Sequence, residues 1–225
     1  MNEDLVAGIR DSLPFHLGVV PFGMVAGIAA IEAGLTPTQA VGISVIVFAG
    51  ASQLAALELL GETAPLIVVI GTALIINIRM IMYSASIAPY FADYSRRVRA
   101  SIPYLLVDQV YAMSIAEFSS NESRDRVRYY LGLGLALWVA WVVGTVAGIV
   151  IGTGVPPELE LSFAVPLIFL ALLVPTMRDR PSTTAAVVGG VGALLAAGVP
   201  LNLGLPIGAI SGIAAGLVVD TWGER

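Results

Sequence analysis

The stretch V-F-A-G-A-S-Q-L-A-A-L-E-L-L, Val47 to Leu60, decides how this chain is read, together with the apolar run after it that ends N-I-R-M-I-M-Y-S-A-S-I-A-P at Pro89. In the first part Gly50, Ala51 and Ser52 interrupt an apolar segment with small residues, and polar Gln53 follows. In the second, Asn77 and Arg79 sit deep inside a segment otherwise long enough to cross a bilayer. A charge at bilayer depth costs roughly 2.5–3.5 kcal/mol on insertion scales. Arg79 therefore requires a polar partner, an aqueous cavity or a ligand.

Composition agrees with a membrane setting. The 225 residues are 57% hydrophobic and 12% charged, with a mean hydropathy of +0.90. Soluble domains average about 25% charged, so this chain cannot cover a water-facing surface. The 24 glycines suit close helix contact in a bilayer. No Cys is present, which excludes disulfides and thiolate metal sites, and one His excludes a multi-histidine site within one chain. A net charge of −5 gives nucleic-acid binding no electrostatic support. Met1 to Ser12 lacks the basic start and cleavage site of a signal peptide, so the first span itself directs insertion.

Outward from the opening stretch, the chain reads as an all-α polytopic transmembrane bundle, a single integral membrane domain over residues 1–225, with broken helices near its centre. Span one is Leu13 to Ala33, with Pro21 predicting a kink, Gly23 and Gly27 a packing step, and His16 an interfacial hydrogen bond. Gly34 to Thr38 is a turn with Thr36 or Thr38 as helix cap. Span two is Gln39 to Leu60, broken or loosened near Gly50, and span three runs from Pro65 to about Tyr90. On span three Arg79, Tyr83 and Ser86 share one face, and Asn77 and Ser84 another.

A loop, Phe91 to Pro103, holds Arg96, Arg97 and Arg99. Tyr104 to Phe118 follows, with Asp108 and Gln109 inside it. At 1.5 Å per residue it reaches about 22 Å, short of a ~30 Å hydrocarbon core, and reads as a short or re-entrant element. After a polar segment to Arg128 come spans at Tyr129 to Thr153, Leu161 to Met177, Ser182 to Val199 and Leu205 to Val219. Gly144, Gly148 and Gly152, and later Gly208, Gly212 and Gly216, recur at four-residue spacing as packing faces. The basic segments at Arg124 to Arg128 and at Arg178 and Arg180 should face the cytoplasm. The loop at Arg96 to Arg99 joins them only if Tyr104 to Phe118 does not cross. That gives about seven spans plus one short element, against eight if it does.

No hydrolase, kinase, P-loop or H-E-x-x-H pattern occurs. Arg79 and Asp108 in a cavity suit a zwitterion, because a guanidinium can grip a carboxylate and an Asp can accept from an ammonium. The alternative is a structural pair that only neutralises itself. The break at A-G-A-S adds bare backbone groups of the kind transporters place at substrate sites, or else is a close-packing surface.

F-A-G-A-S-Q at Phe48 to Gln53, N-x-R at Asn77 to Arg79 and Y-S-x-S-x-A-P at Tyr83 to Pro89 together resemble the AzlC family. The opening P-F-G-M-V-A-G and the segment Leu167 to Pro175 are similar to it too. A D-E pair common in the family's fourth hydrophobic element reads Asp108-Gln109 here. The resemblance implies a secondary transporter in the cytoplasmic membrane exporting leucine, isoleucine and valine, with methionine as a further candidate. It also implies a small membrane partner of the AzlD family. No cofactor or metal is expected. On the family's motif positions, our own reading of the charges gives a substrate site of Gly50, Ser52, Gln53, Asn77, Arg79, Tyr83, Ser84 and Asp108. A passive channel or scaffold subunit is the alternative function, and an intramembrane enzyme using Ser52, Ser84 or Ser86 with His16 is a further one.

Overall fold

A computed structural model describes residues 3–121, 123–154, 177, 179–199 and 204–223. All regular structure among these residues is helical. They fall into two units, Met1–Val165 and Pro166–Arg225.

The frame of the first unit is a pair of long helices, α1 (Glu3–Glu32) and an eighth helix, Arg126–Gly154, whose label α8 follows from the order below. Helix α1 starts ten residues before the expected Leu13, with Glu3 and Asp4 in its first turn, where acidic groups favour a helix start. It stays one helix through Pro14 and Pro21 and ends at Glu32, two residues before Gly34, whose φ of 80° suits a glycine terminator. The two helices run in parallel. Leu5 lies against Gly132, Val20 against Gly144 and Met24 against Gly148. A Cβ added at Gly23 would stand 2.7 Å from the Trp141 carbonyl oxygen, so the small-residue steps on both helices are there for backbone contact.

Between these helices the chain makes two hairpins. Helix α2 (Pro37–Val47) starts on a Thr36 capping box closed by Gln39. It stops at Phe48, which takes a left-handed conformation (φ 38°, ψ 49°), and α3 (Gly50–Gly61) begins one residue later. The expected crossing over Gln39 to Leu60 is corrected here, because the segment folds back on itself. Gln53 Nε2 donates to Ser44 Oγ at 2.6 Å. Ala40 and Leu57 bury in one cluster with Ala30 and Ile149, and Gly61 lies against Ala33. A straight helix would hold Ala40 and Leu57 about 25 Å apart. Both limbs therefore meet at the C-terminal end of α1, and the tip at Phe48 and Ala49 points into the unit.

Helices α4 (Leu66–Ile76) and α5 (Ile78–Ile87) continue into a 3₁₀ turn at Ala88–Phe91. Together they span 26 residues, Leu66–Phe91. The expected third span is interrupted at Asn77, whose carbonyl accepts from Met80 N in a tight i+3 bond. Leu66, Ile67, Leu74 and Ile75 are exposed along this span, as an apolar helix facing lipid requires.

The second hairpin descends through α6 (Arg96–Ser101), a 3₁₀ turn at Ile102–Leu105 and extended Leu106 and Val107. It returns as α7 (Asp108–Ser120), 13 residues and about 20 Å long. Its outer ends touch: Tyr90 Oη is 3.3 Å from Ser119 Oγ, and the Phe91 and Phe118 rings are 5.8 Å apart. Its inner end meets Arg79 in mid-span. The segment therefore enters and leaves at one end, as a re-entrant element. Arg126 Nη1 donates to the Tyr90 carbonyl, and Arg124 pairs with Asp4 at 3.1 Å and Glu117 at 2.6 Å. The expected loop at Arg96 to Arg99 is thus helical, as α6, and it shares that end with the start of α1 and the Arg124 to Arg128 stretch. Three helices here are long and apolar enough to cross a membrane, Glu3–Glu32, Leu66–Phe91 and Arg126–Gly154. Of the four crossings expected in this part, three are matched by such helices among the described residues, and the segment Gln39 to Leu60 is a hairpin instead.

The second unit pairs α9 (Arg180–Leu195) with α10 (Gly204–Gly223). Asp179 caps α9, accepting from Ser182 N at 2.7 Å, and its hydrogen bonds from Ser182 hold its carboxyl below the usual range. A Cβ at Gly212 would stand 2.6 Å from the Ala185 carbonyl oxygen, as a packing face through Gly208 and Gly216 requires. The expected span Leu161 to Met177 and the family-like segment Leu167 to Pro175 lie outside the described residues, apart from Met177 itself.

Candidate functional site

The two hairpin tips border a cavity of about 90 Å³, together with Arg79 from α5. From the first hairpin come Phe48, Ala49, Gly50 and Ala51, and from the second Val107, Asp108 and Gln109. Both tips are helix N-termini. Ala49 caps α3 and Val107 caps α7, and neither supplies a side-chain bond. The first N–H groups of each helix thus receive no acceptor from within it. The partial positive ends of both helices are brought to one place, which favours negative charge there.

Arg79 supplies a full positive charge. Its Nη2 lies 3.1 Å from Asp108 Oδ2, and the two side chains are 38% and 41% exposed. The pair is not closed: Arg79 Nε and Asp108 Oδ1 each lack a hydrogen-bond partner. Asp108, first residue of α7, sits where an acidic group offsets that helix's dipole. The Tyr83 hydroxyl lies beside Asp108, and its ring stacks on Tyr111 at 4.3 Å and 12°. Tyr111 in turn donates to Ser86 Oγ at 2.9 Å.

Of the eight residues expected at the site, Gly50, Arg79 and Asp108 line the cavity. Asn77 and Ser84 line an adjoining groove. Tyr83 reaches the site through Asp108. Ser52 and Gln53 are buried fasteners instead. Asn77 Nδ2 donates to Ser52 Oγ at 2.8 Å, which joins the interruption in the third span to the first hairpin. Ser52 donates to the Ala49 carbonyl, and Gln53 clasps Ser44. His16, expected at an interface, lies on α1 against α8, with Nε2 3.2 Å from the Ala136 carbonyl.

Sequence reasoning missed Phe22, Met80 and Trp141, which line the cavity as well. Trp141 is buried, its ring edge-on to Phe22, and its indole Nε1 has no partner. Nothing in the sequence distinguished these apolar residues from ordinary core. A third fastener was invisible for the same reason. The break after Val47 releases the Val45 carbonyl from its helix, and Tyr104 Oη donates to it while accepting from Trp138 Nε1. One tyrosine thereby ties the second hairpin to the first.

Residues 14–155 match the family described as AzlC protein. The chain is 28% identical over 223 residues to the inner membrane protein YgaZ of Escherichia coli K12, covering 96% of this chain and 89% of that protein. It is 31% identical over 223 residues to an uncharacterized membrane protein of Archaeoglobus fulgidus, covering 96% and 93%. An uncharacterized membrane protein of Helicobacter pylori is 26% identical over 180 residues. No solved structure matches the chain. Through a match that takes in α1 from Pro14 on, both hairpins, α4, α5 and α8, the chain belongs to the AzlC family of membrane proteins.

Proposed function

We propose that this chain is a secondary transporter that exports branched-chain amino acids across the cytoplasmic membrane, and not an enzyme. The open Arg79–Asp108 pair between two uncapped helix N-termini carries this reading. The substrate carboxylate meets Arg79 and the first N–H groups of α3, and the ammonium meets Asp108. The aliphatic tail lies against Phe22, Met80 and Leu137. Apolar contact alone then selects leucine, isoleucine and valine, with methionine as a further candidate. The cavity is smaller than the ~150 Å³ that takes up benzene, so substrate entry requires the tips to part. Two re-entrant hairpins whose tips meet at mid-depth suit such a motion. By the distribution of arginines, the end holding Arg96 to Arg99 and Arg124 to Arg128 faces the cytoplasm.

The chain acts as one integral domain with a small AzlD-type membrane subunit as partner. For an enzyme, His16 would have to reach a serine, but it bonds the Ala136 carbonyl, and Ser86 accepts from Tyr111. Leucine counterflow in vesicles tests the reading. Labelled leucine exchanging against unlabelled leucine, strongly with the partner co-expressed and weakly without it, is the expected result. Flux without trans-stimulation would identify a channel, and chemical change of the substrate an enzyme.

A further inference from the structure

Three hollows in the first unit form a chain. Phe48, Ala49 and Met80 line both the cavity and the adjoining groove of about 410 Å³. Ser84, Pro103 and Leu106 line both that groove and a further one of about 510 Å³. The outermost hollow is bounded by Ala85, Ala88 and Phe91 at the end of α5, and Arg99 stands on its rim. Each groove falls in the 300–1,000 Å³ range of small-molecule sites. At the other end of the unit, Ala30, Ala40, Leu57 and Ile149 close a buried cluster between α1, the first hairpin and α8. These three hollows lead from the cavity towards the basic end.

We infer that this seam, between α5 and the descending limb of the second hairpin, is the substrate's route between the cytoplasm and the cavity. Phe48 and Met80 form its inner constriction, since they face both the cavity and the first groove. Arg99 at the mouth attracts the carboxylate of the incoming amino acid. The walls behind it are mostly apolar and match an aliphatic side chain. This route rests on the transport reading above, and it adds the direction from which this conformation is loaded.

The natural absence of cysteine makes the test direct. Ala85→Cys and Ala88→Cys are prepared separately in the full chain, co-expressed with its partner, and treated with a negatively charged, membrane-impermeant methanethiosulfonate. Leu74→Cys, exposed on the same span away from the seam, is the control. Leucine counterflow of each variant is compared before and after modification, with intact mass as the measure of labelling. The route predicts that both alanine positions label from the cytoplasmic side, that saturating leucine slows the labelling, and that labelling abolishes counterflow, while Leu74→Cys is unaffected. Full labelling with counterflow retained, or no labelling at either position, would overturn the route while leaving transport itself intact. Absence of counterflow in the unmodified Cys-free chain with its partner would instead overturn the transport reading, and the route with it.

Discussion

The two hairpins reach the same cavity with different chemistry. The first is helical in both limbs, carries no charge at its tip, and is held closed by a buried clasp from Gln53 to Ser44. What it presents is backbone, the first N–H groups of α3. The second descends through short 3₁₀ and extended pieces and presents a side-chain charge, Asp108, already engaged by Arg79. A neutral tip of small residues lets a substrate approach the peptide groups closely. A charged tip alone would bind its own counter-ion and stop there. The first tip adds N–H groups beside Arg79, so negative charge is favoured there even while Arg79 engages Asp108.

The largest expected way to break this division of labour is to fill the neutral tip. A Cβ at Gly50 would meet the Phe22 ring at 2.6 Å and Trp141 at 3.3 Å. These are side chains, not backbone, so Gly50→Leu should still insert. Overpacking of about 1–3 kcal/mol then falls on the cavity itself. Leucine counterflow should be lost at normal membrane abundance, and normal counterflow would remove the first tip from the site. A smaller effect is expected from Gln53→Leu, which strands the buried Ser44 hydroxyl at about 1–3 kcal/mol. The melting temperature in detergent should drop, and Ser44→Ala added to it should recover part of the loss. No recovery would mean the clasp is incidental. The smallest is Tyr104→Phe, which deletes the hydroxyl joining the hairpins and should cost about 0.5–1.5 kcal/mol. Its value is in coupling. If the hairpins move as a linked pair, Tyr104→Phe changes the rate of counterflow more than leucine affinity, and an equal change in both would argue against linkage.

Much of this was legible in the sequence for stated reasons. Arg79 at bilayer depth demanded a partner, and Asp108 is that partner. Glycines at four-residue spacing on α1, α8 and α10 foretold backbone contact. Tyr104 to Phe118 reads as too short to cross, and the helix it forms, α7, has 13 residues. The fold-back at Phe48 was not legible. A run of 22 residues from Gln39 to Leu60 has the length of a span, and hydropathy cannot distinguish one helix from two limbs of half the length. The signal was there in weaker form: Ser44 and Gln53 fall equally far from the tip, as a hairpin clasp requires. Ser52 and Gln53 were read as ligand contacts because polar residues at membrane depth invite that reading. In the structure Ser52 accepts from Asn77, tying the third span to the first hairpin, and Gln53 donates to Ser44, tying that hairpin's two limbs together.

The claim that the cavity grips a substrate carboxylate turns on Arg79, and leucine affinity of Arg79→Lys tests it most directly. Lysine keeps the charge and loses the planar fork, including the Nε that has no partner now. Measured by calorimetry on purified protein with its partner subunit, affinity for leucine should fall about tenfold, the 1.4 kcal/mol of one good charge-assisted hydrogen bond. Asp108→Asn should weaken it too, and the double variant should lose less than the sum, since the two groups touch. Unchanged affinity in a well-folded Arg79→Lys would contradict the account and leave Arg79 and Asp108 as a structural pair alone.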